Sequence, residues 1–458
     1  MRPDFYTYLD LLAPLYLVLF YYIATLIVNK NKTNPLYKKY FLQGFWYKML
    51  GAFGFYLVYA FYYRGGDSCT YFVNGVAFNE YMIFENFGDG LRVIFSNIWG
   101  VDDLPAWIVN KSIYYYQEGY ILRNSKALLV VRVSAVVSIF SLNSYLCTCM
   151  TFGFLSYLAI FKLFVLFCEL FPMLHKQFSF AFLKIPSVIF WGSAVNKDTI
   201  CLAMLCVLIY TFYRQFVQLR FSLKYMLYML LSIYLIFNIK NYILIVAIPG
   251  LFVLALVNYQ NKIVGSNFRF VTTPLMILVA ALSFAFLYQS IAKDFEELST
   301  NSIEERAEGF MIDHSRIQET QGGSGYSLGE FEYTTSGILK KAPLALAVTL
   351  FGPFPWQVRN IVMLLSTLES TYFLYLFFIT LVNRKGINLF FKRLTNPILL
   401  FCISFVIILG VTVGLTSFNY GALVRFKIPV LPFFAVFLAL ISYYPTTIKN
   451  KKALTNKY

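Results

Sequence analysis

The sequence predicts an all-α fold: a polytopic transmembrane helical bundle of about 11 crossings plus a re-entrant element, with two long external loops carrying surface helices. Three observations predict it. Hydrophobic residues make up 59% of the 458 residues and charged residues 13%, where a soluble domain carries roughly a quarter charged. Apolar runs of about 20 residues recur along the chain, each long enough to cross the hydrocarbon core. The basic residues collect in short connections between those runs, where they carry orientation information.

Taken in order, the first apolar run spans Leu11 to Val28. It is too long for a signal-peptide core and reads as a retained helix. A basic connection follows, Asn29-Lys30-Asn31-Lys32 and then Lys38-Lys39. Four more share its character: Arg214 to Lys224, Lys262 to Arg269, Arg384 to Arg393, and Lys449 to Lys457 within the basic tail 445–458. None of the five contains Asp or Glu. The positive-inside rule places all of them in the cytoplasm, so the N-terminus is expected outside, the C-terminus inside, and the number of crossings odd. Most acids then fall on the external side, in the loops 63–124 and 293–357; a short third loop covers Ser417–Lys427. Connections of that length are usually functional or disordered. Leu91–Phe95 and Ile113–Tyr116 suggest helices lying on the membrane surface. No internal repeat is evident, and residues 1–458 read as one membrane-embedded domain.

Two spans break the pattern. Phe178–Val195 is short and contains Pro186 and Gly192; the charge rule is satisfied only if it enters and leaves on the external side. Met226–Val257 is too long for one crossing and short for two, and Asn238, Lys240 and Asn241 interrupt it. Irregular backbone at membrane depth requires a protein or watery surround.

Composition also excludes functions. The net charge of +16 is distributed as orientation signals and carries no nucleic-acid signature. Seven cysteines lie mostly in apolar segments, and Cys147-Thr148-Cys149 lacks zinc-site spacing. With two histidines, His175 and His314, a histidine-rich metal centre is excluded. No cofactor is expected, and a divalent cation is left open. Aromatic residues reach 20%, which suits interfacial belts and sugar-stacking surfaces; a coding bias towards Phe and Tyr explains the same excess.

The candidate chemistry sits at the ends of spans. Tyr62-Tyr63-Arg64-Gly65-Gly66-Asp67-Ser68-Cys69-Thr70-Tyr71 opens the first external loop, with Arg64 and two glycines that allow close backbone approach. Asp67 there is either a general base for an acceptor hydroxyl or a turn residue or helix N-cap. Arg425 and Lys427 stand at the external start of the last span, against the orientation rule. They are either phosphate ligands or snorkelling cations. Lys240, at the helical break, is either a functional cation within membrane depth or the tip of a loop in water. Arg316, beside His314 and ahead of Gly322-Gly323-Ser324-Gly325, belongs to a lid over an anion or to a plain flexible loop. Lys197 offers a further phosphate contact, whereas the helix dipole alone accounts for Asp198. Tyr71 and Trp356 are candidate sugar-stacking rings.

These pieces resemble the GT-C class of membrane glycosyltransferases and the related O-antigen and exopolysaccharide polymerases. Gly66-Asp67-Ser68-Cys69-Thr70-Tyr71 is similar to the acidic motif of the first external loop. Pro186 through Asp198 is similar to the mid-chain re-entrant element, Lys240-Asn241-Tyr242 to a basic-then-aromatic site, and Arg425 through Pro432 to the basic-then-proline entry of the final helix. The chain departs from that pattern in two ways: the first external loop follows the second span, and Ser68 stands where a second acid is common. The resemblance implies an inner-membrane glycosyltransferase that takes a sugar or oligosaccharide from undecaprenyl phosphate or diphosphate, transfers it to a glycan or glycolipid acceptor, and binds no nucleic acid. Asp67 is then the base, and Arg425, Lys240 and Arg316 meet the leaving phosphate. A polymerase or ligase without a catalytic carboxylate, and a flippase for the same lipid-linked sugars, are the alternatives.

Overall fold

The computed structural model describes residues 7–95, 104–116, 122, 125–263, 325–329, 335–382, 396–417 and 419–442. Arg316, the acids from Asp294 to Glu332, the glycines of 322–323 and the tail 445–458 lie outside them. Among the described residues every element is helical, and a lone bridge between Gly325 and Asn419 is the single strand-like contact.

The helices are α1 (Ala13–Lys30), α2 (Leu42–Leu57), α3 (Asp67–Glu80), α4 (Phe87–Phe95), α5 (Ala106–Tyr116), α6 (Ser125–Phe140), α7 (Tyr145–Leu170) and α8 (His175–Ser179). They continue with α9 (Pro186–Trp191), α10 (Lys197–Phe212), α11 (Leu223–Ile263), α12 (Thr335–Phe351), α13 (Ile361–Val382), α14 (Pro397–Thr416), α15 (Tyr420–Phe426) and α16 (Val430–Ser442). Among the described residues, six helical segments are long and apolar enough to cross a membrane, or seven when the bent pair α15–α16 counts as one span. The sequence leads to an expectation of about eleven. Part of the difference is helix length, since α6 has 16 residues and α12 has 17, about 24–26 Å at 1.5 Å per residue against a core of about 30 Å.

α7 is the axis of the bundle, packed against α1, α2, α6 and α10. Of its residues, Tyr145, Tyr157, Phe161 and Phe164 are among the largest fully buried side chains. α10 continues to α11, α11 to α14, and α14 to α12 and α16. Aromatic contacts join the two halves: Phe167 and Phe182 meet Phe433, which also contacts Phe401 and Phe405. At the periphery, α1 buries only Phe20 and Ala24 and exposes Leu15, Val18, Leu19 and Leu26. An apolar face that open requires a lipid or partner solvent.

Within the stretch expected as the first external loop, residues 67–80 form α3, which buries Cys69, Tyr71, Phe72, Asn74, Phe78 and Asn79 and packs on α6. Across that interface Asn79 donates to Ala135 O and Ser138 Oγ, and just past α6 to Asn143 Oδ1, at 2.9–3.0 Å. Further on, Leu91–Phe95 and Ile113–Tyr116 fall within the helices α4 and α5.

Both irregular spans break where the sequence places the break. Ile185 is extended (φ −67°, ψ 119°) ahead of Pro186 at the start of α9, as a residue before proline is steered to be. In α11, Lys240 alone leaves the helical region, at φ −146° and ψ 74°.

Candidate functional site

The site begins at the turn into α3. Arg64, Gly65 and Gly66 all have positive φ, at 48°, 147° and 105°. Gly66, at φ 105° and ψ 177°, is the N-cap of α3, a conformation available essentially to glycine. A Cβ there would also stand 3.1 Å from the Tyr59 ring. Gly66→Ala is therefore expected to cost about 1–3 kcal/mol and to turn Asp67 away from its partner. A thermal-unfolding scan of the purified protein checks this; an unchanged midpoint would show that the turn tolerates a side chain.

With Gly66 as the cap, Asp67 is the first residue of α3, and its carboxylate points outward, 42% exposed. Arg425 meets it across the cleft. Asn419 caps α15, accepting from Gly421 N and Ala422 N, which fixes the short helix that carries Arg425. Its Nη2 donates to Asp67 Oδ2 at 3.2 Å, and its Nε donates to Asp198 Oδ2 at 3.5 Å.

Asp198 comes from the third wall, the element around α9. Ser187 donates through its N–H and its hydroxyl to the two oxygens of Glu369, each at 2.6 Å. The buried Lys48 amine donates to Val188 O at 2.9 Å and Gly192 O at 2.6 Å. Gly51 of α2 permits the approach, since a Cβ there would lie 2.3 Å from Ile189 O. The chain turns at Asn196, whose Oδ1 accepts from Thr199 N at 2.7 Å and starts α10. That turn sets Asp198, 1% exposed, behind Arg425, with Trp191 beside it (Arg425 Cζ to ring centroid, 5.7 Å).

Lys240 completes the cluster. The kink in α11 carries its amine to Asp198 Oδ1 at 2.6 Å and to 3.9 Å from the Phe426 ring centroid. The alternative of a tip standing in water is thereby set aside, because Lys240 is buried. The Lys197 amine lies 6.0 Å from the Tyr71 ring centroid and is near enough to feel Lys240, Asp67 and Asp198. The cluster opens on a cleft of about 360 Å³ lined by Tyr59, Tyr63, Gly66, Asp67, Trp191 and Arg425.

Four residues singled out from the sequence thus come together: Asp67, Arg425, Lys240 and Lys197. Others do not join them. Lys427 follows Arg425 by two residues, about 200° around a helix, and points into the core. It has no exposed surface and donates to Gly352 O at 2.8 Å and Ser370 Oγ at 2.9 Å. Tyr71 is buried, Arg64 is exposed with its Nε donating to Phe61 O at 3.4 Å, and Trp356 lines a different cavity. Sequence reasoning missed the role of Asp198, for which the helix dipole is a sufficient local explanation, and the walls Tyr59 and Trp191. An acid at the head of a long apolar run was the available signal.

Among the described residues, no group of three or more His, Cys, Asp or Glu is placed to hold a metal ion. The arrangement has the chemistry of an anion site: three cations against two carboxylates, one positive charge in excess, at the mouth of a cleft. What fold and site define is a helical protein with the apolar helices of a membrane protein and one charged, half-buried cleft. Comparison with protein-family models, curated proteins and solved structures finds no match for this chain.

Proposed function

We propose that the protein is an integral membrane glycosyltransferase of surface-polysaccharide or glycolipid synthesis, using a sugar carried on a polyprenyl phosphate or diphosphate. The observation that carries this reading is Arg425 held at the cleft between Asp67 and Asp198, with Lys240 and Lys197 behind it. As the bond between the sugar's anomeric carbon and the phosphate oxygen breaks, negative charge collects on the lipid phosphate, where the Arg425 guanidinium meets it. The acceptor hydroxyl oxygen forms the new bond, and its proton passes to Asp67. In this reading the chain makes about eleven crossings of a bacterial inner membrane, with the N-terminus external, the C-terminus cytoplasmic and the cleft facing outward. The bilayer supplies the lipid-linked donor laterally.

The 3.2 Å contact between Arg425 and Asp67 also favours a second reading, a polymerase or ligase in which the cations alone bind the phosphate and Asp67 only holds Arg425. Asp67→Asn separates the two. If Asp67 is the base, correctly inserted Asp67→Asn protein loses about 100-fold or more of its transfer rate. If Asp67 only holds Arg425, the amide still accepts the hydrogen bond, and the loss stays below about tenfold. Normal product from both Asp67→Asn and Arg425→Ala would overturn the site assignment.

A further inference from the structure

We infer that a second cleft, on the other end of α15, binds the neutral sugar rings of the acceptor. The inference rests on the transferase reading and adds a carbohydrate subsite to it. The cavity holds about 660 Å³, well within the range of small-ligand sites. Its lining combines the apolar Leu344, Val348 and Met363 with aromatic rings and one cation, Arg359. Trp356 is 78% exposed and stacks by one face on Phe354, with ring centroids 5.1 Å apart and planes within 2°. Phe354 holds the indole flat and leaves its opposite face open, which is how an aromatic plate receives the apolar face of a sugar ring.

A polar group is fixed beside that plate. Gln357 Oε1 accepts from Phe354 N at 2.9 Å and from the Tyr420 hydroxyl at 2.5 Å. A backbone N–H can only donate, so these bonds settle which end of the amide is oxygen. Gln357 lines the cavity beside the plate, so its amide adds a hydrogen-bonding group to a surface that alone would take any apolar ring. The Tyr420 ring is itself braced by Tyr326, 4.9 Å away, whose hydroxyl donates to Gly414 O at 2.8 Å. A flat ring surface with an oriented neutral donor fits a polyol better than a lipid tail, which needs no donor. It also fits a polyol better than a phosphate, since the cluster of cations stands at the other cleft and a single arginine, Arg359, lines this one.

The two clefts share α15 as a wall. Tyr420 lines the second, whereas Gly421 and Arg425 line the first. Arg425 lies five positions after Tyr420, about 7–8 Å along a helix axis, roughly the reach of one or two sugar rings. A glycan seated on Trp356 would therefore extend its end past α15 towards Asp67.

Saturation-transfer NMR on the full-length protein in detergent tests this, with chitobiose, lactose and mannobiose as saccharide probes and decaprenyl phosphate as the lipid probe. The expected result is transfer to at least one disaccharide, weakened about tenfold or more by Trp356→Ala, reduced by Gln357→Ala, and unaltered by Arg425→Ala. Binding of decaprenyl phosphate should show the reverse dependence. Equal saccharide signals in wild type and Trp356→Ala, or none with any of the three probes, would overturn the inference, even with the lipid phosphate still bound. Lipid-phosphate binding indifferent to Arg425→Ala would instead count against the donor site, whatever the saccharides do.

Discussion

Asp198→Asn is expected to destabilise the fold by about 3–5 kcal/mol, the usual consequence of removing one partner from a buried ion pair. Asp198 is 1% exposed and Lys240 7% exposed, and their 2.6 Å bond joins α10 to the kink of α11. An asparagine keeps the shape and one acceptor oxygen but leaves the Lys240 ammonium without a neutralising charge in a poorly solvated place. Equilibrium unfolding in detergent measures the loss, and a second substitution tests its cause. Lys240→Met in the Asp198→Asn background removes the orphaned charge and should recover at least half of the lost stability. If Asp198→Asn unfolds like the wild type, or Lys240→Met adds to the loss, Asp198 does not hold the cluster together.

How much of this was legible in the sequence differs from residue to residue. The breaks at Pro186 and near Lys240 were readable because they are local: a proline constrains the residue before it, and polar residues interrupt an apolar run visibly. Arg425, Lys240 and Asp67 stood out because charges are rare at such positions, and rarity survives without knowledge of the fold. The burial of α3 was not readable, because its polar residues find partners that a sequence does not display: Ser68 accepts from the Tyr145 hydroxyl of α7, and Asn79 donates to Ala135 of α6, 56 residues on. Asp198 was hidden for another reason. Its position in the first turn of a helix already had a sufficient local explanation, and that explanation says nothing about the two cations arriving from α11 and α15. Lys427 misled in the opposite sense. Adjacency to Arg425 suggested a shared role, but the chain bends by 62° between α15 and α16, and Lys427 anchors that bend to Gly352 and Ser370.

Arg425→Ala is expected to lower transfer by about 100- to 1,000-fold, the scale of removing one preorganised donor from developing negative charge. Its effect on stability should be small, in contrast to Asp198→Asn. Lys240 remains on Asp198, and Asp67, 42% exposed, is left to water at little cost. The two variants thus divide the cluster into a part that holds the fold and a part that serves the cleft. Arg425→Lys sharpens the division. It restores the charge but not the planar fork that reaches Asp67 and Asp198 together, so recovery should stay incomplete by about tenfold. The assay is incorporation of labelled sugar into polymer by membranes holding equal amounts of each variant, with unfolding midpoints measured in parallel. Full recovery by lysine would mean that only the charge matters there. An Arg425→Ala protein that transfers sugar normally would remove the phosphate from this cleft altogether, and Arg425 would then be a bracket between α3 and α10, answerable to stability and not to turnover.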